Sequence, residues 1–347
     1  MKFSIIIPVY NRPDEVDELL ESLSNQTQKD FEVIIVEDGS VKPCKDVCDK
    51  YAGILALHYY AKENSGPGQS RNYGAERANG EWLIVLDSDV VLPSGYLAAI
   101  DSAISHQTSD IVAFGGPDAA HPSFTPVQKA ISYSMTAFFT TGGSRGGTAK
   151  LDKFYPRSYN MGIRRDVYLE LGGFTKMRFG EDIDFSYRIV EAGYQPRLFP
   201  DAWVWHKRRT DFKKFFRQVY NSGIARINLE KRHPGTLKLV HLLPTVFTVG
   251  VIGLILISAV GRALMHYVDR DQFYWMCFAP WIPILLYSLI IFIDSSIRNR
   301  SLWVGLLSIP AAFVQLTGYG LGFIESWWKR CILKKDEFQA FERTFYK

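Results

Sequence analysis

The chain has 347 residues, enough for one large α/β domain with a smaller module or for two ordinary domains. Its net charge of +4 does not by itself indicate a nucleic-acid partner, and we expect none. Its four cysteines match neither a disulfide framework nor a zinc site: Cys44, Cys48, Cys277 and Cys331. Hydrophobic residues make up 47% of the chain and are concentrated after about residue 237. This distribution predicts a water-soluble N-terminal part and an apolar C-terminal part.

The first 90 residues alternate strand and helix signals. Continuous β-rich runs predict buried strands, and apolar residues at helical spacing, such as Val16, Leu19, Leu20 and Leu23, predict amphipathic helices. The predicted strands are Lys2–Val9, Phe31–Val36, Leu55–Tyr60 and Trp82–Leu86, and the predicted helices begin at Pro13 and run from Gln69 to Asn79. Strand, helix and strand in this order form βαβ units, so we predict an open α/β sheet with parallel strands.

Carboxylates follow two of these strands directly. Asp38 ends the second strand, and Asp87 and Asp89 follow Trp82–Leu86. Open α/β sheets bind ligands beyond the carboxyl ends of their strands, and carboxylate oxygens are the ligands that Mg²⁺ or Mn²⁺ prefers. The Asp-x-Asp pair therefore predicts a divalent-cation site, although such a pair also occurs by chance in loops.

A second acidic group comes later, where Glu181 and Asp182 open a helix predicted over Ile183–Glu191. One of them is a candidate general base, although acidic residues also favour helix starts through the helix dipole. His206 is a candidate third metal ligand or phosphate contact, and a structural role is the alternative. The glycine-rich stretch Gly142–Lys150 indicates either a lid or an ordinary surface loop.

The C-terminal part begins with a basic amphipathic helix over Asp211–Arg232, which predicts an interfacial helix on anionic lipid. A helix packed on the preceding domain is the alternative. Three apolar segments follow, each long enough to cross a hydrocarbon core: Leu237–Val260, Phe273–Ile293 and Leu302–Ile324. Lysines and arginines after the third segment favour the cytoplasm for the tail, whereas three crossings would place it outside. Two and three crossings both remain open.

Several motifs in this order resemble glycosyltransferase family 2, the inverting enzymes of the GT-A fold, over about residues 2–230. They are Ile7–Asn11 (IPVYN), Val36–Ser40 (VEDGS), Glu63–Gly66 (ENSG), Arg71–Gly74 (RNYG), Leu86–Asp89 (LDSD), Gly172–Phe174 (GGF) and Gly180–Asp182 (GED). Glu37 stands where an Asp or Asn is common. The Q-x-x-R-W motif of processive polysaccharide synthases is missing, so transfer of a single sugar is expected.

The resemblance implies a role for each matching residue. Pro8, Tyr10 and Asp38 would line the nucleoside pocket, and Arg71 would lie near the donor. Asp87 would contact ribose or metal, and Asp89 would ligate Mg²⁺ or Mn²⁺. Asp182 would be the catalytic base, with Glu181 orienting the acceptor.

The expected organisation is a GT-A α/β domain over residues 1–210, an interfacial helix over 211–235, membrane helices over 236–325 and a basic tail over 326–347. The expected function is transfer of one sugar from a nucleotide-diphosphate sugar, a UDP-sugar being favoured, to a lipid-linked acceptor at the cytoplasmic face of a membrane. The alternatives are a catalytically silent scaffold or donor-binding protein of a membrane glycan complex and, less favoured, a small transporter, for which the apolar segments offer almost no charge.

Overall fold

The computed structural model describes residues 1–106, 111–121, 123–142, 154–267 and 270–341. The chain divides into two compact units. We call Met1–Pro122 with Lys150–Lys207 the sheet domain, and Ser123–Ala149 with Arg208–Lys347 the helical domain. The predicted Gly142–Lys150 loop lies, after Gly142, outside the described residues.

The sheet domain contains ten described strands and six described helices. The strands are β1 Phe3–Val9, β2 Phe31–Asp38, β3 Leu57–Lys62, β4 Trp82–Leu86, β5 Val90–Val91, β6 Ala113–Gly115, β7 Asp118–Ala119, β8 Asn160–Arg164, β9 Arg197–Leu198 and β10 Val204–His206. The helices are α1 Pro13–Ser24, α2 Lys45–Tyr51, α3 Pro67–Ala75, α4 Tyr96–His106, α7 Arg165–Glu170 and α8 Glu181–Glu191.

The main sheet has the order β3-β2-β1-β4-β8-β6-β9, and the first four strands in that order are parallel. The predicted parallel sheet is therefore confirmed for this half, while β8 runs antiparallel to both β4 and β6. Ile5, Ile6 and Ile7 of β1 are all fully buried, because both faces of the sheet are covered. Each such side chain stabilises the fold by roughly 1.5–3 kcal/mol. The parallel order brings the carboxyl ends of β2 and β4 to one edge.

The helix predicted from Gln69 to Asn79 is shorter in the structure. It begins at Pro67, where proline suits the first turn, and it ends at Ala75. Asn79 is bound elsewhere, because its backbone N–H donates to Oε1 of the buried Glu32 at 2.6 Å and its Nδ2 donates to Oε2 at 3.2 Å. This contact turns the chain into β4.

The helical domain contains α5 Pro126–Thr136, α6 Phe138–Thr141, α9 Phe212–Arg232, α10 Leu243–Tyr267, α11 Arg270–Phe278, α12 Ile282–Asn299 and α13 Leu302–Trp327. Helices α5 and α6 were expected in a continuous domain over residues 1–210. Instead, Ile131 and Met135 of α5 form one buried cluster with Phe215 and Val219 of α9. The weak sequence signal in this stretch did not reveal a partner more than 70 residues further along the chain.

The basic helix is present, with Asp211 as its N-cap: Oδ1 of Asp211 accepts from the Lys214 N–H at 2.7 Å. Its apolar side, however, contacts α5 and α13, which places protein where the sequence predicted lipid.

Three described helical stretches have the length and apolar composition needed to span a membrane: Leu239–His266, Tyr274–Asn299 and Leu302–Ile332. They overlap the three predicted apolar segments. In the second stretch, Pro280 lies in a tight turn over Ala279–Trp281 that separates α11 from α12, and Pro283 is the second residue of α12.

The close approach of β1 to the start of β4 predicts that Gly80 tolerates no side chain. A Cβ at this position would lie 2.6 Å from the backbone nitrogen of Ser4 and 2.7 Å from the carbonyl carbon of Phe3. Since backbone cannot move aside cheaply, Gly80→Ala should destabilise the sheet domain by about 1–3 kcal/mol. In detergent-solubilised full-length protein this corresponds to a fall in melting temperature of roughly 2–12 °C, because 1 kcal/mol shifts a domain of this size by about 2–4 °C.

Gly53→Ala is the matched control, because a Cβ at Gly53 would meet nothing within 4 Å. Its melting temperature should stay at the wild-type value. Equal melting temperatures for both variants would contradict this account of the packing.

Candidate active site

Three of the predicted metal ligands lie together beyond the end of β4. One ligand atom each from Asp87, Asp89 and His206 lies within 4.8 Å of the others, and all three side chains are partly buried. The two aspartates directly follow the buried strand β4, whereas His206 arrives from β10. That strand is antiparallel to β5, with His206 opposite Val90. A short antiparallel pair thus brings a residue more than 110 positions away to the Asp-x-Asp pair.

The imidazole of His206 is held on several sides. Its Nε2 lies 3.3 Å from Oδ1 of Asp89, and its Nδ1 lies 3.7 Å from Oδ2 of Asp118. The ring stacks on Tyr159, with centroids 4.9 Å apart and planes inclined by 29°. The Lys207 N–H also donates to the carbonyl oxygen of Asp89 at 3.0 Å. These contacts aim Nε2 at the aspartates.

Arg12 is a member of this site that the sequence analysis missed. Its NH1 lies 2.5 Å from Oδ2 of Asp89, and this ion pair raises the pKa of Arg12. Arg12 directly follows Asn11, which has a φ of 56° and accepts hydrogen bonds from the Val41 and Lys42 backbone N–H groups. Its position after the IPVYN motif was the available signal, since the residue after a strand end faces the same edge.

Arg71 links the two acidic groups. This buried guanidinium donates from NH2 to Oδ1 of Asp87 at 2.7 Å and from NH1 to Oε1 of Glu181 at 2.9 Å. Its Cζ lies 5.1 Å from the ring centroid of Phe174. Burial alone would lower the pKa of Arg71, but the two carboxylates outweigh burial and raise it. Arg71 is therefore a fixed cation between the candidate metal ligands and the start of α8.

Glu181 and Asp182 lie side by side in the first turn of α8, yet their surroundings differ. Burial raises the pKa of Glu181 to about 7, with Arg71 opposing the shift and Asp182 adding to it. The Asp182 side chain is 13% exposed, and its Oδ2 lies 2.9 Å from Nε of Arg157. Arg157 was not predicted, because none of the motifs recognised in the sequence contains it.

The loop before α8 is locked by a residue of the RNYG motif. Oδ1 of Asn72 accepts from the Phe174 N–H at 2.8 Å and from the Tyr168 hydroxyl at 2.6 Å. Its Nδ2 donates to the Phe174 carbonyl at 2.8 Å. Gly173, with a φ of 62°, lies against Asn72, where a Cβ would also come within 2.8 Å of the Tyr168 ring. Asn72 thus fixes the loop that carries Glu181.

Of the residues predicted to line the nucleoside pocket, Asp38 is already hydrogen-bonded within the protein. Both Asp38 oxygens are engaged by the loop after β3, since Oδ1 accepts from the Ser65 N–H and Oδ2 from the Gly66 N–H, each at 2.9 Å. Lys62 also pairs with Asp38. Pro8 lies on β1 opposite Val36 of β2.

Tyr10, the other residue predicted to line the nucleoside pocket, is partly buried in the loop after β1. The unusual Glu37 is buried and accepts from the Cys44 N–H at 2.7 Å. Its substitution for the common Asp or Asn therefore adjusts loop packing at this strand end.

The donor set of the cluster fits a divalent cation. Two carboxylates and one imidazole are ligands that both Mg²⁺ and Mn²⁺ accept, and the nitrogen ligand suits Mn²⁺ well. The predicted residues Asp87, Asp89, Glu181 and Asp182 share one edge of the sheet domain, connected through Arg71. Asp184, also acidic, accepts from Thr175 Oγ1 at 3.0 Å and Arg188 Nε at 3.2 Å, which gives it a structural role.

Comparison with known proteins agrees with this fold. Residues 4–172 match the family described as glycosyl transferase family 2. Over this stretch, just under half of the chain, the protein is similar to that family, and the sheet domain has the GT-A fold. The match ends before Glu181 and Asp182, so their assignment depends on the geometry above.

The relatives are similar over part of their length. The chain is 28% identical over 238 residues to a pre-mycofactocin glycosyltransferase of Mycobacterium tuberculosis, covering 67% of this chain and 48% of the relative. It is 30% identical over 194 residues to an uncharacterized glycosyltransferase of Haemophilus influenzae, covering 54% of this chain and 62% of the relative. The chain thus spans about half to two thirds of these two proteins.

Among solved structures, a mannosyltransferase of Pyrobaculum calidifontis in complex with GDP-Man and Mn²⁺ superposes with a TM-score of 0.57 at 14% identity. The alignment covers 95% of this chain and 88% of that one. At this identity the likeness establishes the fold.

The raised pKa of Glu181 predicts a pH-dependent stability. The pKa of about 7 lies above the ordinary 4.5, so the folded state favours protonated Glu181. This stabilisation is complete below about pH 4.5 and is lost as the pH rises through about 7. Gln imitates the protonated acid at every pH. Glu181→Gln should therefore match wild type at pH 5 and exceed its unfolding free energy by at least about 1 kcal/mol at pH 8.

The measurement is thermal or urea unfolding of both proteins across this pH range, with Glu170→Gln, an exposed acid near the sheet-domain surface, as the control. The control should differ from wild type by the same small amount at each pH. A Glu181→Gln variant that loses stability as the pH rises would refute the argument.

Proposed function

We propose that this chain is a membrane-attached, inverting glycosyltransferase that moves one sugar from a nucleotide-diphosphate sugar to a lipid-linked acceptor. The observation that supports it best is the pair of ion contacts from Arg71 to Asp87 and Glu181. Because Glu181 is next to Asp182, these contacts keep the proposed cation ligand Asp87 close to the proposed base Asp182. Transfer from a nucleotide diphosphate needs both, one for the leaving group and one for the incoming hydroxyl.

Asp87, Asp89 and His206 would hold the Mg²⁺ or Mn²⁺ ion, which when bound neutralises the charge of the diphosphate. Arg12 and Arg71 add positive charge on either side of these acids, and Asp38 with Pro8 and Tyr10 would line the nucleoside side. A UDP-sugar is the favoured donor, and a GDP-sugar is the next candidate.

Asp182 would remove the proton of the acceptor hydroxyl. Its Oδ1 accepts from the Ile183 N–H at 2.9 Å and its Oδ2 is held by Arg157, which fixes the carboxylate while leaving further lone pairs for the hydroxyl. The hydroxyl oxygen would bond to the anomeric carbon as the bond to the diphosphate breaks, with inversion. Glu181, tied through Oε1 to Arg71, would orient the acceptor through its other oxygen.

The apolar helices of the helical domain support attachment to a bilayer, with the sheet domain on the cytoplasmic side. An acceptor held in the same bilayer, such as a polyprenyl phosphate or a glycan on a polyprenyl diphosphate, suits that location. The missing processive motif supports one transfer per acceptor. A role in glycan or polysaccharide assembly follows from this acceptor class.

The proposal predicts different defects for the two acidic groups. Asp182→Asn should lower kcat by about 10²–10⁴-fold with donor affinity unchanged, because a general base acts on the acceptor only. Asp89→Asn should lose cation-dependent donor binding as well as turnover. The assay is release of nucleoside diphosphate by purified full-length protein with polyprenyl phosphate acceptors, and donor binding is measured by calorimetry with Mn²⁺.

Asp201→Asn, an exposed acid of the sheet domain, is the control and should retain activity. Full activity of both Asp89→Asn and Asp182→Asn would overturn the site assignment. Cation-dependent donor binding by the wild-type protein with no turnover over a broad acceptor panel would instead favour a catalytically silent, donor-binding scaffold.

A further inference from the structure

The third apolar helix differs from the other two in how much protein covers it. Of the most apolar 18-residue window in Leu302–Ile332, 44% is buried within the protein. The corresponding shares are 6% for Leu239–His266 and 11% for Tyr274–Asn299. A helix that is surrounded by lipid has little contact with the rest of the protein. The larger buried share of α13 therefore indicates a different environment from that of α10 and α12.

The largest single share of this cover comes from α9, which lies alongside α13, and α5, α10 and α12 supply the rest. A Cβ at Gly318 would come within 2.6 Å of Val219, and one at Gly223 within 2.7 Å of the Phe323 nitrogen. Near the C-terminal ends of both helices, Nε of Arg330 donates to Oδ1 of Asn228 at 3.0 Å. The two helices therefore run side by side in the same direction, from Val219 to Asn228 on α9 and from Gly318 to Arg330 at the end of α13.

Helix α9 is too polar for the hydrocarbon core. Its cations lie toward both ends and leave only Gln218–Ala225 between them without a Lys or Arg, a stretch much too short to cross the core: Lys213, Lys214, Arg217, Arg226, Lys231 and Arg232. Each charge at the centre of a bilayer costs about 2.5–3.5 kcal/mol on insertion scales and more for an isolated helix. A bilayer position that placed α13 across the core would bring much of α9 into it. Both helices therefore lie outside the core or along its surface.

The residues after α13 return along α9. The Ala340 N–H donates to Oδ1 of Asn221 at 3.0 Å, and Asn221 Nδ2 donates to the Ala340 carbonyl at 3.2 Å. Arg232 pairs with Glu337 at 2.8 Å. A chain that crossed the membrane through α13 would leave this tail on the side opposite α9, which these contacts do not allow.

Helix α10 meets α13 near its own start, whereas α12 lies along the first half of α13 from Tyr287 to Ser296. Thr248, in the second turn of α10, donates to the Leu316 carbonyl at 3.2 Å, and Ser295, near the end of α12, lies 2.7 Å from Ser308. Further along, Trp281 Nε1 donates to Ser258 Oγ at 2.9 Å, which joins α10 to the segment before α12. These contacts describe a hairpin whose open end rests on α13.

The surface of this hairpin is apolar and exposed. Large side chains on both arms are between 43% and 66% exposed: Val249, Ile252, Ile255, Leu256, Ile257, Val260, Ile282, Leu285, Leu286, Leu289, Ile290 and Ile293. On α13 the exposed Trp303, Trp327 and Trp328 lie near the helix ends. Tryptophan at such positions is typical of the membrane–water interface.

We propose that the α10–α12 hairpin alone enters the bilayer, that it enters and leaves on one side, and that α13 lies with α9 along the membrane surface. The tail after α13 is then on the same side as the sheet domain, because only four residues separate Lys207 from Phe212 of α9. Four residues reach at most about 14 Å, which is too short to cross a core about 30 Å thick. This inference rests on the membrane attachment proposed above.

The test is labelling with a membrane-impermeant maleimide in intact cells and in sealed inverted vesicles of a bacterial host. Cys331, at the end of α13, is the exposed cysteine among the described residues, and Cys44, Cys48 and Cys277 are buried. Labelling of Cys331 in the wild-type protein therefore reports on which side of the membrane the tail lies. Cys331→Ser with Glu76→Cys reports on the sheet domain, since Glu76 is exposed, and Cys331→Ser alone gives the background.

We expect Cys331 and Glu76→Cys to react in the same preparation and to be protected in the other until detergent is added. Reaction in opposite preparations would overturn the hairpin. Lys335→Cys in the Cys331→Ser background is a second tail reporter should headgroups shield Cys331, and the same two outcomes apply to it.

Two further outcomes would count against the proposed membrane attachment or orientation and are distinguishable from failure of the hairpin. Release of the protein by alkaline carbonate would overturn membrane attachment and the hairpin together. Reaction of both reporters in intact cells would leave the hairpin standing and overturn the cytoplasmic orientation.

Discussion

The buried guanidinium of Arg71 connects the two acidic groups of the candidate active site. Arg71 contacts Asp87, 16 residues later in the chain, and Glu181, 110 residues later. A buried cation without these partners would be costly, because an unpaired charge inside a protein is poorly solvated. Each side therefore depends on the other, and the ends of β4 and the start of α8 are held at one edge of the sheet. Loss of Arg71 would leave its two acidic partners without their shared cation.

The surrounding fold prepares this contact. Parallel pairing of β1 with β2 and β4 aligns the strand ends, and Asn72, one residue after Arg71, locks the loop that leads into α8. The RNYG motif thus serves two purposes, since one residue bridges the acids and the next fixes the segment that brings the second acid. The Asp-x-Asp pair lies on the other side of Arg71, where Arg12 and His206 contact Asp89.

Sequence patterns predicted the parts that depend on local order. Continuous apolar runs located β1 and β4 closely, and the parallel-sheet rule correctly brought Asp38 and Asp87 to one edge. The bridge from Arg71 to both acids was not predictable, because it joins residues 110 positions apart and depends on a side chain's reach. The same reason explains why Arg157 and the association of α5 with α9 were missed. The apolar pattern identified α13, but its protein partner α9 could be recognised only in three dimensions.

In the function proposed above, a divalent cation bound at this edge would lie directly against a nucleoside diphosphate. Electron paramagnetic resonance of Mn²⁺ with full-length protein and UDP or GDP tests it most directly, because coupling between Mn²⁺ and phosphorus nuclei requires close contact of the ion with the diphosphate. We predict a phosphorus coupling that appears only with protein and nucleotide together and that is lost in Asp89→Asn. A bound Mn²⁺ without phosphorus coupling, or a coupling unchanged in Asp89→Asn, would contradict the account.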